Sequence, residues 1–210
     1  MPTQAVGRHP HADIPWPDVW RQGVAALQWV IPKSTEIAET DSMPNYRRYH
    51  IPGHPVFLTI VTHHRRPWLA GNNCIYTLIG SMHWAKTQYP FRHIAHVILH
   101  DHLPWMLLPS AETNYSKLVA ATKRDVTWRL KESGLNGPLW QNRFYDHIIR
   151  NDEDFGRHLD YIHFNPVKHG YASQPSHYQW SSFQEWVKRG VYPEDWGITE
   201  PDWIKTIERE

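Results

Sequence analysis

The chain has 210 residues, enough for one domain with a buried core, and a formal net charge of only +1. Bulk charge therefore announces no nucleic-acid binder, and no stretch approaches the ~20 apolar residues of a membrane span. A single cysteine, Cys74, excludes an internal disulfide and fits a reducing, cytoplasmic compartment, as does an N-terminus without the basic-then-apolar order of a secretory signal.

Residues 1–42 are punctuated by proline and histidine, with weak helical patterning only over Val19 to Val30. They hold three basic residues (Arg8, Arg21, Lys33) against five acidic ones (Asp13, Asp18, Glu36, Glu39, Asp41), so the positive balance lies in residues 43–210. This segment reads as an N-terminal extension, disordered or preceding an alternative start at Met43. Residues 43–197 read as one domain and 198–210 as a tail.

Pro55 to His63, rich in β-branched and aromatic residues, reads as a strand. Residues 72–89 carry Ile75, Leu78, Ile79, Met82 and Ala85 at helical spacing, with Asn72 or Asn73 as cap and Cys74 as a small buried thiol. Phe91 to Leu99 and Leu103 to Leu108 read as strands, with Asp101 and His102 at the turn between them. Residues 114–132 repeat the helical period through Tyr115, Leu118, Val119, Val126 and Leu130, and Gly134 is the expected stop. A third helix spans 152–164, capped by Asn151, with Asp152, Glu153 and Asp154 favouring its N-terminus. Its core stripe is Phe155, Leu159 and Ile162, and Pro166 is expected to end it. This order implies an α+β fold with a central antiparallel sheet and packed helices.

Tyr161 lies roughly 100° round that helix from the core stripe, on a flank shared with His158 and Asn165. Residues four apart share a helix face, so a phenol and a carboxamide are presented together. A tyrosine can attack a phosphodiester and hold the broken strand as a phosphotyrosyl bond. Its hydroxyl is a poor nucleophile near its free pKa of about 10, so a divalent cation must neutralise the scissile phosphate. A partly buried structural aromatic is the competing reading. His100 and His102, two apart in extended chain, point to one side and are candidate metal ligands; a polar turn is the alternative. Mn²⁺ accepts imidazole more readily than Mg²⁺ does.

Basic residues interleave with rings in Tyr46-Arg47-Arg48-Tyr49 and His63-His64-Arg65-Arg66, the combination that holds single-stranded nucleic acid. Lys117, Lys123, Arg124, Arg143, Lys168 and His169 extend a candidate phosphate track. Taken singly, each is more often a solvated surface charge, and only the Tyr46-Arg47-Arg48-Tyr49 segment stands above that, because it starts the folded region.

Together these residues resemble the REP-associated tyrosine transposases, bacterial relatives of the single-tyrosine HUH transposases, also called transposase IS200-like proteins. Matching segments include Tyr46-Arg47-Arg48, Thr59-Ile60-Val61-Thr62 with Arg65-Arg66-Pro67 after it, and Asp101-His102-Leu103. Others are Leu139 to His147, His158 to Gly170, and Ser181-Ser182-Phe183 to Gly197. The resemblance covers about residues 43–197. It implies a small HUH transposase-like fold with a ferredoxin-like or RRM-like core. It implies nicking and rejoining of single-stranded or hairpin DNA beside REP-like palindromes, with Mg²⁺ or Mn²⁺, by a monomer or homodimer at the bacterial nucleoid. By the same resemblance Tyr161 falls on the nucleophile, His102 on the first histidine of the metal pair, and Asn165 on the polar residue that helps hold the metal. Tyr46, Arg47 and Arg48 fall on a hairpin-contacting segment.

The chain departs from the family at Pro104. The family pattern is Pro-Asp-His-Leu-His; here it is His-Asp-His-Leu-Pro. This leaves two readings: an active enzyme whose metal pair is rebuilt around His100, or a cleavage-deficient hairpin-binding descendant. A third class, an unrelated histidine-rich metal hydrolase, would need a carboxylate–histidine cluster, for which the sequence offers no diagnostic spacing.

Overall fold

A computed structural model of the chain describes residues 50–199. The expected helix near Val19 to Val30 and the Tyr46-Arg47-Arg48 segment lie outside the described residues. Four strands form one antiparallel sheet: β1 (Val56–Val61), β2 (Phe91–His96), β3 (His102–Pro109) and β4 (Tyr145–Ile148), in the order β2-β3-β1-β4. The helices are α1 (Asn72–Gln88), α2 (Tyr115–Glu132), α3 (Asp152–Lys168) and α4 (Phe183–Lys188). The β-α-β-β-α-β succession up to β4 is that of a ferredoxin-like core, so the α+β expectation holds.

The sheet is covered on both faces. Alternate residues Val56, Leu58 and Ile60 of β1 and Leu103, Trp105 and Leu107 of β3 pack with α1 and α2. Phe57 and Met106 face the other way and pack with Phe155, Leu159 and Ile162 of α3 and Trp186 of α4. Two-sided burial explains why β1 and β3 read as nearly continuous apolar runs rather than as alternating strands. Trp186 is fully buried and its indole N–H donates to Ile94 O at 3.1 Å, satisfying its only polar atom. Among the described residues no helix is long and apolar enough to cross a membrane.

Several local expectations are corrected. Gly71, not Asn72 or Asn73, caps α1; its carbonyl accepts the amides of Cys74 and Ile75, and Asn72 is already the first helical residue. Cys74 is half-buried rather than sealed in. His102 opens β3 instead of sitting in the turn. Asn151 does cap α3, accepting Asp154 N at 2.9 Å, and Gly134 does succeed α2 in a left-handed conformation (φ 89°). Pro166 does not end α3. The proline forfeits one hydrogen bond, but His169 N still reaches Asn165 O at 3.0 Å and Gly170 N reaches Val167 O at 2.9 Å, so the helix runs on to Lys168. This extra turn fixes where His169 lies.

Candidate active site

The site forms where the start of β3 meets the C-terminal half of α3. Residues 102, 104 and 106 of β3 point to the α3 side, by the period-two rule of a strand. His102 is buried there, opposite Val61 of β1. Its Nδ1 donates to Asp101 Oδ1 at 2.6 Å, and Asp101 Oδ2 accepts Arg65 Nη1 at 2.9 Å. Burial pushes the Asp101 carboxyl up, but the His102 and Arg65 hydrogen bonds and charges outweigh it and hold it below its usual value. Burial lowers the His102 pKa, and Asp101 offsets this only in part. The ring is therefore neutral at pH 7, with its proton on Nδ1 and a bare lone pair on Nε2. A carboxylate that fixes the tautomer in this way is the usual partner of a metal-ligating histidine. Arg65 and its neighbour His64 both hold left-handed backbone (φ 52° each), a local strain that puts the guanidinium against Asp101.

Helix α3 brings Tyr161, Asn165 and His169 to this corner at successive turns. Tyr161 is half-buried, edge-on to Phe57 with ring centroids 5.8 Å apart, and Lys168 Nζ lies 5.7 Å from its ring centre. Asn165 is buried beside His102; its Nδ2 reaches Tyr161 O at 3.4 Å, while Oδ1 is sealed from solvent without a hydrogen bond of ordinary geometry. His102 is the nearest side chain to that oxygen, and an acceptor held this loosely can turn to a cation. The His169 ring stands 5.2 Å from that of His102. His100 does not join them: its ring packs on Tyr171 at 4.1 Å, and Tyr171 in turn lies 6.1 Å from His169.

Pro104 occupies the strand position next to His102 on the same face, opposite Thr59. Its carbonyl accepts Val97 N at 3.1 Å, on the β2 side, where the β2 ladder has already ended at His96. The missing proline N–H faces that same side, so the central β1–β3 ladder loses nothing.

A second cluster sits at the other end of α3. His147 Nε2 lies 2.9 Å from Asp154 Oδ2, and His158 Nδ1 lies 2.9 Å from Asp154 Oδ1 and 2.8 Å from Asp154 O. The two rings stack at 4.5 Å, and Arg150 N also donates to Asp154. Burial raises the Asp154 pKa, but these hydrogen bonds win and hold the carboxyl far below its usual range. The group has the composition of a metal site. Its hydrogen bonds make it, as it stands, a lock between β4 and α3, because His158 Nδ1 must carry a proton to meet the backbone carbonyl. The sequence offered no diagnostic spacing for a carboxylate–histidine cluster, and the fold nevertheless assembles this one. The legible signal was Asp154 and His158 at i and i+4; His147 comes from β4, a four-residue edge strand with too little pattern to read.

No family model matches the chain. A REP-associated tyrosine transposase of Escherichia coli is 38% identical, with 73% of this chain and 91% of its own length aligned. A Haemophilus influenzae protein provisionally given the same name is 37% identical over 174 residues, covering 74% of this chain and 94% of its own. The chain belongs to the REP-associated tyrosine transposases. A solved REP-associated tyrosine transposase, bound to a REP hairpin, is 36% identical and superposes with a TM-score of 0.66 over 76% of this chain and 96% of that one.

In this REP-associated tyrosine transposase the structure brings together His102, Asn165 and Tyr161, with Asp101, Arg65, Lys168 and His169 around them. It leaves His100 to one side. His158 and Asn165, expected on a flank of the helix, are buried, because α3 is wedged between the sheet and the segment carrying Trp186 and Tyr192. Arg66 is bonded to the Pro138 carbonyl, Arg143 is exposed beyond Trp140, and Arg65, though paired, keeps 60% of its side chain in solvent.

Proposed function

We propose that this transposase nicks and rejoins single-stranded DNA beside hairpins, through a 5′-phosphotyrosine on Tyr161 with the help of a divalent metal. The observation that carries this reading is the meeting of Tyr161 and the unpaired Asn165 Oδ1 with the Asp101-oriented His102. His102 Nε2 and Asn165 Oδ1 fit a cation, one offering a bare nitrogen and the other a buried oxygen in want of a partner. Bound there, Mg²⁺ or Mn²⁺ would neutralise charge on the scissile phosphate.

The chain's own residues divide the remaining work. Tyr161 Oη attacks the phosphorus; the Tyr–O–P bond forms as the bond to the 3′ oxygen breaks, and that oxygen leaves as a hydroxyl. Rejoining is the reverse, with a 3′ hydroxyl displacing Tyr161. Lys168, 5.7 Å from the centre of the Tyr161 ring, supplies positive charge on the side of the nucleophile. Arg65, Arg66, Arg143 and Lys168 are exposed or half-exposed cations suited to the phosphate backbone. The hairpin in the related solved structure supports hairpin DNA as the partner.

A second reading, a hairpin binder that no longer cleaves, is favoured by Pro104 alone. The test is a denaturing gel of purified protein with palindromic single-stranded DNA and Mn²⁺. A covalent adduct absent in Tyr161→Phe is expected; shifted DNA without any adduct would leave the binding reading in its place.

A further inference from the structure

We propose that His169 is the metal ligand that stands in for the histidine absent at position 104. This rests on the metal-assisted reading above. The strand position that would face the metal beside His102 holds a proline, which has no donor atom to offer. His100, the nearer substitute along the chain, is turned onto Tyr171. His169 arrives from the other side. It caps α3 one turn beyond Asn165, which sets both residues toward the β3 start, and its ring centroid is 5.2 Å from that of His102 at an interplanar angle of 73°.

That separation has chemical meaning. With metal–nitrogen bonds of about 2.1 Å, two imidazoles on one cation put their centroids ~4.5–5.2 Å apart, depending on the angle at the metal. The spacing of the pair is therefore compatible with one shared cation, beside the Asn165 Oδ1 that makes no hydrogen bond of ordinary geometry. Asp101 takes the His102 Nδ1 proton, so the nitrogen left for a cation is Nε2. His169 is an exposed residue, so the set of two nitrogens and one oxygen opens toward solvent, where a phosphate oxygen can complete it. Two imidazoles among three protein ligands select for Mn²⁺ over Mg²⁺, which prefers an all-oxygen shell.

The device depends on the uninterrupted end of α3. Had the helix stopped before Pro166, the His169 ring would not fall within reach of β3. Gly170 (φ 70°) then turns the chain so that Tyr171 closes against His169 and His100.

The test is Mn²⁺ binding by the full chain without DNA, read as loss of the free-ion electron paramagnetic resonance signal. His102→Ala, His169→Ala, His100→Ala and the double variant Pro104→His/His169→Ala would be compared, with circular dichroism confirming the fold of each. The expected result is affinity weakened about ten-fold or more in His102→Ala and His169→Ala, no change in His100→Ala, and recovery in the double variant. Wild-type affinity in His169→Ala, with loss in His102→Ala, would overturn the proposal, as would a loss confined to His100→Ala. Binding that responds to His169 in a protein unable to nick DNA would sustain this inference and sink the cleavage reading. Nicking that survives in His169→Ala with unchanged Mn²⁺ affinity would do the opposite.

Discussion

The short hydrogen bond from His102 Nδ1 to Asp101 Oδ1, 2.6 Å long, decides which nitrogen of His102 faces α3 without a proton. An asparagine at 101 could donate to Nδ1 instead and move the ring proton to Nε2, the atom needed for a cation. Asp101→Asn is therefore expected to leave the fold unchanged and to weaken Mn²⁺ binding ~10–100-fold, as loss of a ligand-orienting carboxylate does elsewhere. Calorimetric titration checks this, and an unchanged affinity would mean that Asp101 does not orient a metal ligand.

Pro104→His restores an imidazole on the face shared with His102, at a position whose backbone N–H is not needed by the β1–β3 ladder. Position 104 is buried, so the larger polar ring costs about 1–3 kcal/mol of folding stability in the absence of metal, although no ladder bond is broken. Mn²⁺ affinity and the yield of covalent adduct should both rise. A variant with tighter metal binding and no more adduct would mean that the metal is not what limits cleavage.

Asp154 ties β4 to α3 through His147, His158 and the Arg150 amide. Asp154→Ala removes the shared acceptor and leaves half-buried His147 and buried His158 without it, at a cost of about 2–4 kcal/mol. Urea unfolding should show a lower midpoint with an unchanged slope. A loss below about 0.5 kcal/mol would mean that the cluster is not a lock.

The face of the sheet under α4 holds a second group of histidines whose titration sets an acid limit. His93 Nε2 and His96 Nδ1 lie 3.0 Å apart, a contact that needs one bare nitrogen, so both rings cannot be charged. Burial, with added repulsion from Lys86, Arg189 and His83, lowers the His93 pKa to about 4. Burial, then His93 and His83, lowers that of His96 to about 3. His163, fully buried with Nε2 on Ser182 Oγ and Nδ1 unpaired, is pushed well below its ordinary value by burial and by the same two rings. Because these folded-state values lie below the unfolded value of about 6.5, the unfolded chain takes up the extra protons first. Their contribution is intact above about pH 6.5 and is lost as pH falls from there toward about 4 and 3. The urea midpoint should fall steadily between about pH 6.5 and 4; a flat profile there would contradict the buried neutral pair.

Much of this molecule was legible along the chain. The β-branched run at β1, the helical periods of α1 and α2, and the Asn151 cap of α3 are local preferences that tertiary packing did not override. The pairing of Tyr161 with Asn165 needs only the i, i+4 geometry of a helix, so spacing alone brings them to one face. Tyr145–Ile148 and Phe183–Lys188 were illegible because four and six residues are too few to show a period. Pro166 misled because a local rule about proline ignores the hydrogen bonds that the next turn keeps.

By itself, then, the sequence determined the α+β class, the family, the tyrosine–asparagine pair and a proline at position 104 where the resemblance puts a histidine. Only the tertiary structure decided that His169, and not His100, stands beside His102, and that His147 joins Asp154 and His158. Spacing within one helix or strand is set by its own repeat, whereas these meetings join β3 to the end of α3 and β4 to its beginning. Their geometry comes from sheet register, from the angle at which α3 crosses the sheet, and from how far the helix continues past a proline.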